Sequence, residues 1–261
     1  MAAPALLVCD VGNTALKIVL FDGAGAVRQV RRFPHPRPVR RRARDPGTVV
    51  AVSVHEGHLA RIRNDLRPVR IRVLGRDLPL PIRNRTRRPS ETGHDRLCAA
   101  LAAYERAGGA AVAVGLGTAL TVDLVDAAGA FRGGAIAPGL RAAAAGLAGA
   151  APRLPAPDLG ARHPASLPGR TTAKALRAGF LIGFAGMVDR LAEEAARAAR
   201  RGGVSRVPVF LHGGDAPALL PYLETPVTHA PHLVAEGARL AWLRSKGAGP
   251  GKPRAGPRRP R

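Results

Sequence analysis

One pattern occurs twice in this chain. Residues 10–27 read DVGNTALKIVLFDGAGAV, and residues 115–131 read GLGTALTVDLVDAAGAF. With Asn13 set aside, Thr14, Ala15 and Leu16 align with Thr118, Ala119 and Leu120; Leu20 aligns with Leu124, Asp22 with Asp126 and Gly25 with Gly129. Each copy reads as a strand, a Gly-Thr turn, a second apolar run and a polar Asp/Gly turn. A turn of small residues lets backbone N–H groups approach a phosphate closely, and the threonine hydroxyl adds a donor. Two such turns, well separated in sequence, predict a duplicated domain that grips one polyphosphate between its halves. The copies differ where chemistry is expected, because Asp10 of the first corresponds to Gly115 of the second.

With 261 residues, 46% of them apolar, the chain is long enough for a proper core, built mainly from Ala, Leu and Val. The net charge is +23, yet Lys17, Lys174, Lys246 and Lys252 are the only lysines; the remaining basic residues are arginines spread along the length. No basic stripe interleaves with aromatics and no zinc-finger or RNA-recognition signature is present. Specific nucleic-acid binding is therefore not expected, and the charge reads as a solvated basic surface that attracts anionic substrates. Cys9 and Cys98 form neither a disulfide framework nor a metal cluster. The N-terminus lacks the basic region of a signal peptide, and Gly115, Gly117 and Asp123 interrupt the Ala/Val-rich stretch near 110–125. No membrane segment is expected, and the default location is the cytoplasm.

Along the chain, 5–9 and 16–21 read as a buried hairpin, followed by a Pro/Arg-rich loop or frayed edge at 31–47. Strands are expected at 48–54 and 69–74 around a short helix at 57–66, then a polar connector at 79–92. A helix begins near Asp95 and ends at Gly108-Gly109. The second hairpin spans about 111–133. Helices follow near 139–149, 171–184 and 186–201, and the strand 207–211 runs into His212 and Gly213-Gly214-Asp215. The tail from Lys246 has the composition of a disordered segment. This order suits two related α/β lobes with a ligand cleft between them, 1–92 and 93–245, followed by the basic tail 246–261.

Five motifs carry candidate chemistry. In the segment Asp10, Val11, Gly12, Asn13, Thr14, a carboxylate at the end of a buried strand can hold a hydrated Mg²⁺ beside a triphosphate, with Lys17 close by; an ordinary hairpin with an Asp turn is the plain alternative. Gly115-Leu116-Gly117-Thr118 fits a second phosphate clamp. Gly93-His94-Asp95-Arg96 opens a helix, where an Asp is commonly a cap. The alternative is a general base on a substrate hydroxyl, with Arg96 compensating phosphoryl charge. Gly213-Gly214-Asp215 permits a flat ring such as adenine to lie on the backbone, or is a simple turn. Gly169-Arg170-Thr171-Thr172 is a plain N-cap or a hydroxyl donor to substrate.

Assembled, these residues resemble the type III pantothenate kinases of the acetate kinase/sugar kinase/Hsp70/actin superfamily. The resemblance covers about 6–240 and rests on DVGNT (10–14), GHDR (93–96), GTALTVD (117–123) and GGAIAPGL (133–140), with LP (154–155), GRTT (169–172), GGD (213–215) and HLVAEG (232–237). It implies an α/β fold of duplicated ribonuclease-H-like (actin-like ATPase) lobes with the nucleotide cleft between them. It also implies a homodimer whose pantothenate site lies near the subunit interface, and ATP-dependent phosphorylation of pantothenate, which opens coenzyme A synthesis. By position it implies that Asp10, Val11, Gly12, Asn13, Thr14, Ala15, Leu16 and Lys17 form the first ATP segment, with Asp10 organising Mg²⁺. Asp95 would be the base, Gly93 through Arg96 and Thr172 would contact pantothenate, and Gly117 and Thr118 would bind ATP phosphate.

The sequence departs from the family pattern at four positions. The family usually carries an Asp at Gly115, where it resembles a ligand for a monovalent cation such as K⁺ or NH4⁺. A Tyr is replaced by Thr86, an Asn by Cys98, and the Thr before GGD by His212. One expectation is an active kinase with altered cation dependence. The other is a family member of weakened catalysis that acts as a regulatory or accessory factor, which the basic surface and tail would suit.

Overall fold

The computed structural model describes residues 5–12, 15–34, 48–53, 56–66, 69–160 and 164–247. Asn13 and Thr14, most of the Pro/Arg-rich segment and nearly all of the basic tail lie outside the described residues. The first lobe is a five-stranded sheet of β1 (Leu6–Val11), β2 (Ala15–Phe21), β3 (Val27–Pro34), β4 (Thr48–Ser53) and β5 (Arg70–Val73), in the order β3-β2-β1-β4-β5. β1–β3 form an antiparallel meander, and β4 and β5 run parallel to β1. Helix α1 (Glu56–Asp65) connects β4 to β5.

The second sheet is built from β6 (Arg83–Asn84), β7 (Ala111–Leu116), β8 (Ala119–Val125), β9 (Ala130–Pro138), β10 (Val209–His212) and β11 (Val227–His229). Its order, β11-β10-β7-β8-β9-β6, repeats the first sheet strand for strand and adds β6 at the edge. The helices are α2 (His94–Ala107), α3 (Leu140–Ala150), α4 (Thr172–Arg200), α5 (Ala216–Leu219) and α6 (Leu233–Gly247). This is the expected duplicated ribonuclease-H-like architecture.

The duplication extends further than the repeat in sequence. Both meanders close on the same turn: Asp22 and Asp126 each accept from the backbone N–H four residues on, Ala26 at 2.8 Å and Ala130 at 2.9 Å. The glycine between them takes a left-handed backbone, φ +94° at Gly25 and +74° at Gly129, which a side chain would strain. Each turn aspartate also pairs with an arginine six residues on, Arg28 and Arg132. A register shift follows at Leu20/Phe21 and, equivalently, at Leu124/Val125. The third strand of each meander is therefore part of the repeat. RRFP at 31–34, expected as loop or frayed edge, is the end of β3.

Strand parity places the core. In β1, Leu6 and Val8 face one side while Leu7, Cys9 and Val11 face the other; in β7, Ala111 and Ala113 oppose Val112, Val114 and Leu116. Strands buried on both faces read as continuous apolar runs. Between the sheets lies the shared core, with α2 against β7 and β8 and α6 against β1 and β4. The two helices cross where Gly237 meets the backbone of Cys98; a Cβ on Gly237 would lie 1.9 Å from the Cys98 carbonyl oxygen. The C-terminal helix thus returns to the first lobe's sheet, and β6, upstream of residue 93, joins the second. α4 is one continuous helix where two were expected. Its glycines weaken it by about 1 kcal/mol each, but Leu181, Ala185, Val188, Ala192 and Ala196 bury one unbroken stripe, and Thr171 caps it by accepting from the Lys174 N–H at 3.2 Å.

Candidate active site

The ends of β1–β3 carry a row of charge. Cross-strand register places Lys17 opposite both Asp10 and Arg32, and directly paired antiparallel residues share a face. By parity that face is the one shared with Leu6, Val8, Val19 and Phe21, which looks toward the second lobe. Burial, with Asp95 facing it, pushes the Asp10 carboxyl up to about 6 against the pull of Lys17 and Arg32. Burial lowers the Lys17 ammonium, partly offset by Asp10. Lys17 Nζ donates to the Pro231 carbonyl, just before α6. Gly12 N–H donates to the Ala15 carbonyl at 3.2 Å, closing the base of the turn; Gly117 N–H does the same to Ala119 at 3.1 Å.

The GHDR motif enters from α2. Gly93 is the N-cap residue and no side chain caps the helix. Asp95 is therefore not the cap. Its carboxylate folds back over Gly93, where a Cβ would lie 2.4 Å from Oδ1, and it is the electrostatic neighbour of Asp10 across the cleft. The His94 ring lies against Gly75, which follows β5. Arg96 is fixed from two sides. Its Nε and Nη2 donate to Asp123, the shortest contact being 2.5 Å, and its guanidinium lies 5.6 Å from the Phe131 ring centroid. Asp123 is buried, and that burial raises its carboxyl while Arg96 opposes the shift. The structure makes Asp123 the partner that orients Arg96.

Gly115 is equivalent to Asp10, and its site is filled. A Cβ there would meet Thr121 Oγ1 at 2.7 Å and the His212 ring at 3.0 and 3.1 Å. His212 is the parallel-strand neighbour of Gly115. Burial, with a contribution from Lys17, lowers its pKa to about 4, so the ring is neutral at ordinary pH. With Thr121, the imidazole thus occupies the room that a side chain at position 115 would need. A monovalent cation does not fit this pair, which offers no carboxylate and faces the Lys17 ammonium.

At the GGD turn, Asp215 is buried and receives Arg141 Nε at 2.7 Å. The space beside Gly214 holds the Arg32 guanidinium rather than an open shelf for a flat ring: a Cβ on Gly214 would lie 2.8 Å from Nη1. Thr172 is not part of this cluster. It lines, with Leu147, Leu176, Gly179, Phe180 and Phe184 among others, an apolar groove of about 610 Å³ between α3 and α4. Thr86 Oγ1 donates to Asn84 Oδ1 at 2.8 Å, beside Thr92. Cys98 is buried at the α2–α6 crossing, where burial raises its thiol. Among the described residues no group of three or more His, Cys, Asp or Glu side chains is arranged to hold a metal, and no helix is long and apolar enough to cross a membrane.

This arrangement, two ribonuclease-H-like lobes with Asp10 of one electrostatically coupled to Asp95 of α2, is an actin-like ATPase fold. The fold is similar to a Baf family transcriptional activator from Campylobacter jejuni (TM-score 0.62, 16% identity, 93% of this chain and 100% of that one). It also resembles component A of (R)-2-hydroxyglutaryl-CoA dehydratase from Acidaminococcus fermentans (TM-score 0.51, 15% identity, 94% and 98%). The profile of the type III pantothenate kinases matches residues 6–194, and the chain belongs to that family. A type III pantothenate kinase from Mycobacteroides abscessus is 37% identical over 178 residues, 68% of this chain and 64% of its own length. One from Rhodococcus opacus is 30% identical over 265 residues, 92% and 96% of the two chains.

Proposed function

We propose that this chain phosphorylates pantothenate at the expense of ATP, giving 4′-phosphopantothenate. The observation that carries the reading is the convergence of Asp10 with Lys17 from the first lobe and Asp95 with Arg96 from the second. In a phosphoryl transfer the protein supplies mainly position and charge. Asp10 through Lys17 form the first phosphate segment, with Gly117 and Thr118 as the second. Gly93, His94 and Arg96 border the acceptor, and Asp95 accepts the proton of its hydroxyl, a contribution of about 10²–10⁴ in rate. Arg96, held rigid by Asp123, keeps positive charge beside that oxygen.

Mg²⁺ fits this site. Burial, and then the neighbouring Asp95, raise the Asp10 carboxyl, and a divalent cation would favour its ionised form. Asp10 would hold the ion with phosphate oxygens and water, and when bound it would neutralise charge on the phosphates. K⁺ or NH4⁺ does not fit beside Gly115 and His212, and turnover independent of either is expected.

A homodimer is supported by the α3–α4 groove, where Phe180 and Phe184 stack with centroids 6.0 Å apart and Gly179 has open space before it. Thr172 lies in that same groove, which agrees with a pantothenate site near the subunit interface. The location is taken as cytoplasmic.

The alternative reading, a regulatory or accessory factor of weakened catalysis, draws on the lost carboxylate at Gly115. One assay separates the two: purified protein with ATP, Mg²⁺ and pantothenate, followed by mass spectrometry. Phosphopantothenate, with or without K⁺, supports the kinase; none under either condition overturns it. Asp95→Asn is expected to lower kcat by about 10²–10⁴ with an unchanged melting temperature. Near-normal kcat would return Asp95 to a structural role.

A further inference from the structure

The two cations of the charged row have different fates. Lys17 is tied to the Pro231 carbonyl. Arg32, one strand further out, extends to the opposite lobe and lays its guanidinium on the Gly213–Gly214 turn, with Nη1, Nη2 and Cζ lying 2.8, 3.2 and 3.4 Å from the position of a Gly214 Cβ. That turn offers no side chain to receive it. The nearby carboxylate, Asp215, is taken by Arg141, and Asp10 is shared between Lys17 and Arg32.

The fold does not require this charge. The equivalent residue of the second meander is Ile136, opposite Thr121 as Arg32 is opposite Lys17, and the same strand forms there with an exposed apolar side chain. An arginine that spans a nucleotide cleft, sharing its carboxylate neighbour Asp10 with Lys17, presents a planar fork of donors suited to two phosphoryl oxygens.

We propose that Arg32 is a further phosphate-binding residue of the cleft, taking β- and γ-phosphoryl oxygens of the nucleotide from the Gly213–Gly214 side, opposite Lys17. The proposal rests on the kinase reading.

Calorimetric titration of wild type and Arg32→Gln with Mg-ATP and with AMP tests it. Arg32→Gln is expected to bind Mg-ATP about 10- to 100-fold more weakly and AMP within about twofold of wild type, the loss due to one charge-assisted contact with the terminal phosphates. In turnover, KM for ATP rises while KM for pantothenate holds. Arg32→Lys recovers part of the affinity, since a point charge replaces the fork. An unchanged melting temperature, expected because the side chain is exposed, excludes unfolding as the cause. Equal affinities for Mg-ATP in the two proteins, or equal losses for ATP and AMP, would overturn the assignment of Arg32 alone. Failure of the wild type to bind Mg-ATP would overturn the kinase reading and the proposal with it.

Discussion

Across the first meander, Asp10, Lys17 and Arg32 occupy the three paired positions that Gly115, Thr121 and Ile136 occupy in the second. The turns, the bulges and even the Asp–Arg pair at each hairpin tip are the same. The backbone was thus kept while charge was concentrated in one lobe. The second lobe places its charge one step along β8. Asp123 stands where the first lobe has Val19, and it serves Arg96 of α2 rather than the phosphate cleft directly. At the fourth strand, Asp10 neighbours Val52 whereas Gly115 neighbours His212. One scaffold therefore presents an ionic row on the first meander and a largely neutral one at the same positions of the second.

Exchanging residues between equivalent positions breaks or sharpens this comparison. The largest effect is expected from Asp123→Val, which installs the first-lobe residue. It leaves the half-buried Arg96 without its carboxylate, at a cost of about 3–5 kcal/mol and a melting temperature lower by about 10 °C. Adding Arg96→Leu should restore much of that stability but not turnover; calorimetric melting curves of the single and double variants decide. A loss below about 1 kcal/mol would mean that the pair is not what holds Arg96.

Gly115→Asp, which installs the first-lobe carboxylate, is expected to cost about 1–3 kcal/mol through overlap with Thr121 and His212. His212→Thr in the same chain should relieve the part of the overlap due to the ring and render turnover K⁺-stimulated, whereas the wild type stays flat from Na⁺ to K⁺. A wild-type rate that rises steeply with K⁺ would contradict the reading of His212 as an occupant of the cation site.

The smallest effect concerns pH. His212 titrates at about 4 in the folded chain against its ordinary value of 6.5, so the fold favours the neutral ring. That contribution is fully present above pH 6.5 and is lost as pH falls toward 4, by about 1–2 kcal/mol for a ring that keeps some solvent contact. Denaturant unfolding of wild type and His212→Gln between pH 7 and 4 should show the variant losing less stability over that window. Parallel curves would remove His212 from the account.

Much of the site was legible because local chemistry marks it. Glycine turns, a helix-opening GHDR and an apolar run ending in Asp10 announce themselves through backbone geometry and periodicity, and Lys17 follows from proximity. Arg32 did not, because β3 is polar on its exposed side and ends among prolines and arginines. Its signal was the repeat itself: extending the alignment past Gly25 and Gly129 pairs Arg32 with Ile136 and reveals a third strand in both copies. Asp123 was visible as a charge in an apolar strand, but its partner lies 27 residues away on another element. The central helix α6 was missed, since its buried stripe is made largely of alanine and glycine.

The sequence by itself determined the duplication, the strand-and-turn grammar of each meander, the side of β1 and β2 that carries charge, and the family to which the chain belongs. These depend on neighbours in sequence, where side-chain alternation and turn chemistry act over a few residues. Only the tertiary structure decided that His212 fills the space beside Gly115, that Asp123 holds Arg96 and that Arg32 crosses to Gly214. It also decided that the last helix returns to the first sheet. Each of these is a meeting of groups brought together by burial of the shared core between the sheets, and packing of that kind leaves no local pattern along the chain.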